Sequence, residues 1–161
     1  MKTKLSIAIL ALLVVGATAV SAQHQHTGNQ VRGMNTPERI PDHVAYRLVL
    51  TSLAGDDNLN TRDERIRFTG LSAVDRSALT DELGKFRVER DAMRNAYNQH
   101  QMETEGRDTA SIQQYVVDVA ALVERSRKRL AANLTADGFS RLDKFVQGEK
   151  VHMTISESEA Q

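Results

Sequence analysis

The sequence predicts an all-α fold: a long antiparallel helical hairpin, coiled-coil-like, packed with shorter N- and C-terminal helices. Three observations carry this. Leu79, Leu83, Phe86, Arg90, Met93, Tyr97 and His100 recur at alternating spacings of four and three, the period of a heptad seam. Ile112, Val116, Val119, Val123, Ser126 and Leu130 repeat the same spacing further along. The chain also has no tryptophan and only two prolines, both before residue 42, which argues against a β-rich module with many turns.

The N-terminus sets the compartment. Lys2 and Lys4 precede an almost wholly apolar run from Leu5 to Val15, and small residues lead up to Ala22. That is the layout of a secretory signal peptide, here residues 1–22, and it predicts a periplasmic or secreted mature protein. The alternative is a retained anchor, but Leu5 to Val20 spans 16 residues where a membrane-crossing helix needs about 20. Stable membrane insertion is therefore not expected once the signal is removed. Cleavage sites before Val20, Ala22 or Gln23 all fit, and the last is favoured.

Residues 23–40 are polar, with Gly28, Gly33, Asn29, Asn35 and Pro37, and read as a flexible linker. A single helical domain is expected over residues 41–153. Pro41 suits a helix's first turn with Asp42 beside it. Val44, Ala45, Leu48 and Leu53 then recur at helical spacing, with Val49 and Leu50 widening the stripe, up to a stop at Gly55. A loop over Asp56 to Asn60 leads to a short helix from Thr61 to Thr69 holding Ile66 and Phe68.

Leu71-Ser72-Ala73-Val74-Asp75 opens the first long helix, with Ser72 capping the first turn and Asp75 reaching back. That helix gives out near Glu105-Gly106, and Asp108 or Thr109 caps the next, which runs to about Asn133. Matching seams and a loop of a few residues between them predict the hairpin. Leu134-Thr135-Ala136-Asp137 starts a last helix, capped by Thr135, with Phe139, Leu142, Phe145 and Val146 inward. Residues 154–161 read as a disordered acidic tail. The two openings, Leu71-Ser72-x-x-Asp75 and Leu134-Thr135-x-x-Gly138, are alike in form, as in an internal repeat or in convergent helix caps.

Composition excludes several functions. With no cysteine there is no disulfide framework, thiolate metal site or cysteine nucleophile. Removing the signal peptide leaves 19 basic against 21 acidic residues, a near-neutral balance that gives no electrostatic case for nucleic acid or anionic membrane. No serine elbow, glycine-rich phosphate loop or metalloprotease helix pair is present, so no enzyme is expected. Asp56-Asp57-Asn58-Leu59-Asn60 imitates a calcium loop, but Thr61 stands where the turn needs glycine and Arg67 where the ion needs a carboxylate.

Five histidines occur in the chain. Cleavage after Ala22 would begin the protein Gln23-His24-Gln25-His26, while a cut before Ala22 would put His24 third. A terminal amine, backbone amides and imidazole suit square-planar Cu²⁺ or Ni²⁺. His24 and His26 are therefore the candidate metal ligands, against the plainer reading that they are incidental in a polar linker. His100 with Met102, and His152 with Met153, are weaker copper pairs. Arg90 on the seam must be paired or snorkel to water, with Asp118 and Glu124 as candidate counter-ions. Arg125-Ser126-Arg127-Lys128-Arg129 reads as a solvated helix face.

Leu71-Ser72, the Leu134-Thr135-Ala136-Asp137 opening and the long helices between them resemble small exported helical proteins of bacteria that have no assigned activity. They also resemble periplasmic stress chaperones and metal-resistance sensors that carry leucine-threonine motifs at helix starts. The likeness covers residues 41–153 in architecture and a handful of positions in motif. It departs at Gly138, where the chaperone motif has glutamine, so no functional residue carries over. The resemblance implies action on a protein partner or client. The seams also admit a homodimer.

Overall fold

The computed structural model describes residues 30–55 and 59–160. The expected signal peptide, its cleavage site and the candidate ligands His24 and His26 lie outside them. Helices dominate: α1 (Asp42–Ala54), α2 (Leu59–Phe68), α3 (Ala73–Glu103), α4 (Thr109–Asn133) and α5 (Ala136–Glu149). The expected all-α hairpin is present, with α3 and α4 packed along each other as antiparallel neighbours. At 1.5 Å per residue, 31 and 25 residues make rods of about 46 and 37 Å. No helix of the described residues is long and apolar enough to cross a membrane.

Helices α3, α4 and α5 start where their cap chemistry dictates. The Ser72 side chain accepts from the Asp75 amide at 3.1 Å, and Thr135 accepts from the Gly138 amide at 3.0 Å. Asp108 accepts from the Ala110 and Ser111 amides, satisfying donors that a helix N-terminus leaves unpaired. The hairpin turns on Glu105 and Gly106, at φ 52° and 70°. Their amides donate back to the Met102 and Gln101 carbonyls, the pattern that ends a helix in the left-handed region. Pro41 caps α1 from just outside, in extended conformation.

The core lies at the base of the hairpin. Helix α1 packs against α3, α4 and α5, burying Val44, Ala45, Tyr46, Val49, Leu50 and Leu53 against Leu79, Leu83, Phe86, Leu122, Val123, Leu130 and Leu142. Fully burying each of the larger aliphatic or aromatic side chains contributes about 1.5–3 kcal/mol. The seam expectation holds here but fails toward the tip. Ile112 and Val116 are 45% and 50% exposed, because α1 ends at Ala54 and no other described helix takes over its place beside α3 and α4. Ile66 of α2 is buried, whereas Phe68 at its last position is exposed at the rim of a cleft it shares with Leu48, Val49 and Leu53 of α1.

The described residues of the expected linker and tail pack against each other. β1 (Gln30–Arg32) and β2 (Thr154–Ser156) pair antiparallel with Val31 opposite Ile155, and both side chains are buried, as is Ile40. The Gly33 amide donates to the Met153 carbonyl at 2.8 Å, and a Cβ on Gly33 would sit 1.6 Å from the Lys150 carbonyl oxygen. Arg39 pairs with Glu157 and Arg47 with Glu159. The packed unit thus extends beyond residues 41–153, because single apolar residues from both chain ends fill its margin.

Candidate functional site

Two constellations of polar residues are structural. Asp75 is buried and its carboxylate accepts from the Ser72 hydroxyl (2.7 Å), the Thr135 amide (2.8 Å) and the Thr135 hydroxyl (3.0 Å). The Ser72 bond, followed by the Thr135 amide, holds its pKa below the ordinary carboxylate value. The two similar helix openings therefore meet, and Asp75 ties the start of α3 to the start of α5. Gly138 is required at that junction: an added Cβ would lie 2.5 Å from the Asp75 carboxyl carbon.

The basic run of α4 is not the solvated face expected. Arg129 bonds the buried Glu82 carboxylate at 2.9 and 3.0 Å and also reaches Glu89, and these bonds raise its pKa further. Arg127 lies over the Tyr46 ring at 5.0 Å. The Tyr46 hydroxyl donates to Asp143 at 2.9 Å. Burial first, and the Asp143 carboxylate second, push the Tyr46 pKa up. Arg125 and Arg129 reach carboxylates of α3 while Arg127 faces α1 and α5, a division between neighbours that the run itself does not reveal.

The distal half of the hairpin is held by contacts of another kind. His100 and Asp108 meet across the tip at 2.8 Å, and that bond holds the Asp108 pKa down. Tyr97 and Tyr115 stack across the seam with ring centroids 4.7 Å apart. These contacts hold the two helix ends together without an apolar core. His100, which the spacing puts on the seam, is an exposed partner of Asp108. Among the described residues no group of three or more His, Asp or Glu could hold a metal ion, and the copper pairs at His100 and His152 gain no further ligand.

On the side of the hairpin that carries α1, a cleft of about 510 Å³ opens past the end of α1. Leu48, Tyr115, Val116 and Val119 form its apolar part, and Arg47, Arg90 and Arg94 its charged part. Arg90 does not reach Asp118 or Glu124 as expected. It lies 5.9 Å over the Phe86 ring and pairs with Asp91 at 3.0 Å, and Arg94 reaches the same carboxylate at 3.3 Å. The Arg90 bond chiefly holds the Asp91 pKa down. A second cleft of about 370 Å³ adjoins it through Leu48 and is lined by Phe68, Phe145, His152 and Met153. Ile112, one turn before Val116 on the same face of α4, is also exposed. Sequence reasoning assigned Ile112 and Val116 to a closed seam, and only the shortness of the α1 stripe hints that the seam stays open.

Comparisons with protein-family models, with curated proteins and with solved structures give no match.

Proposed function

We propose that this is an exported, non-enzymatic helical protein of the periplasm or the secreted fraction, which acts by binding other polypeptides along the distal half of its hairpin. Chaperone-like holding of a client, sensing, and assembly with a partner all use such a surface. The observation that carries the reading is the division of one seam into two halves. At the base, α1 covers it. Beyond Ala54 the same seam presents Ile112 and Val116 about half exposed, next to the cleft that Leu48, Tyr115 and Val119 line. A clustered apolar surface rimmed by charge is the ordinary signature of a protein-binding face. The lysine-led apolar N-terminus supports export.

Light scattering from a chemically denatured, aggregation-prone client diluted into buffer tests this. The protein is expected to suppress aggregation at stoichiometric ratio. The double substitution Ile112→Ser with Val116→Ser should remove most of the suppression while changing stability little, as exposed positions usually do. A strictly monomeric protein that leaves aggregation unchanged would contradict the reading.

A further inference from the structure

We infer that the occupant of the open groove is an amphipathic helix edged with acidic side chains, seated end to end with α1. This deepens the reading of the distal arm as a polypeptide-binding face and rests on it. The shape of the groove points to a helix. α1 lies along the hairpin in contact with both α3 and α4, so this hairpin already seats one helix in that position. The cleft begins beside Arg90 and Arg94, and from Arg90 to Glu103 at the end of α3 is 13 residues, or about 20 Å of hairpin beyond α1. That accommodates a helix of roughly 13 residues, close to the 13 residues of α1 itself.

Chemistry specifies the two faces of that helix. Val119, Val116 and Ile112 lie three and four residues apart on α4, so they form one stripe suited to leucine-type side chains at i, i+3, i+4 and i+7. The charged wall is cationic. Arg90 and Arg94 share a single carboxylate, Asp91, while Arg47, already paired with Glu159, lines the same cleft from α1. Two guanidiniums on one carboxylate leave net positive charge beside an apolar floor. The complementary ligand carries carboxylates along one edge of its apolar stripe.

The test uses three fluorescein-labelled 14-residue peptides, each with the same leucine stripe on an alanine background and with Glu, Gln or Lys along the edge, titrated into the purified protein at low salt. Fluorescence anisotropy is expected to show the Glu peptide binding about fivefold or more tighter than the Gln peptide, with the Lys peptide weakest. Arg94→Glu, a substitution at an exposed side chain, should reverse the order of the Glu and Lys peptides. Equal affinity for all three, an order that Arg94→Glu leaves unchanged, or no binding by any would overturn the inference. If the order is flat while Val116→Ser still weakens client suppression, the polypeptide-binding reading survives and only the acidic helix falls. Concentration-dependent self-association abolished by Val116→Ser would assign the groove to a second copy of this chain and also overturn the inference.

Discussion

Asp75 shows how much a single side chain organises here. It completes the Ser72 cap and receives the Thr135 amide and hydroxyl, so it serves two helix starts at once. Its lowered pKa fixes the sign of its contribution. Unfolded aspartate takes up its proton near pH 3.9 while the folded group stays ionised. The unfolded state then binds more protons, and stability present above about pH 4 is lost as the pH falls toward the folded value. Thermal unfolding followed by circular dichroism should show Tm dropping below about pH 4. Asp75→Asn should lower Tm at neutral pH and flatten the acid limb, whereas an acid limb identical to that of the unmodified protein would contradict this role. Gly138 is the companion. Alanine in its place would gain about 1 kcal/mol of helix propensity, but its Cβ would collide with a carboxylate held by three hydrogen bonds. Net destabilisation of about 1 kcal/mol is expected in urea unfolding, and a stabilised Gly138→Ala would show that Asp75 moves freely. The caps of both helices were legible in the sequence. Their junction was not, because the two openings lie far apart along the chain and similarity of pattern says nothing about adjacency.

At the scale of the element, one seam has two fates. The four-three spacing of α3 and α4 identified both helices, their pairing and the turn at Glu105-Gly106, because periodicity reports which side chains share a face. It does not report what covers that face. Leu83 and Phe86 are sealed, while Val116 at an equivalent seam position is half exposed, and the difference lies in the length of α1. Thirteen residues reach about 20 Å along a 31-residue partner. The energetic consequence is measurable. Leu122→Ala, at a fully buried position, should cost about 2–5 kcal/mol in urea unfolding. Val117→Ala, at a half-exposed position of the same helix, should cost about 0.5 kcal/mol or less. Equal losses would mean that the distal arm is packed as tightly as the base. The contrast between α1 and Phe68 follows the same reasoning, since a stripe of six apolar residues commits a helix face while one terminal aromatic does not.

In the whole molecule, the base is closed by both chain ends and the arm is left open. The pairing of Val31 with Ile155, the insertion of Ile40, and the Arg39–Glu157 and Arg47–Glu159 pairs fasten the base around α1. These contacts were illegible because each end offers only isolated apolar residues among polar ones, and strand pairing between opposite termini leaves no local period. The distal groove was illegible for the converse reason, since its residues have the pattern of a buried seam. A fastened base holding an open arm is the arrangement on which the proposed polypeptide binding depends. Mapping amide chemical shifts by nuclear magnetic resonance during titration with a permanently unfolded client tests this claim most directly. The account predicts that the shifting amides cluster between residues 90 and 119 on α3 and α4, with the base unchanged. Shifts confined to the β1–β2 clasp and α5, or none at saturating client, would contradict it.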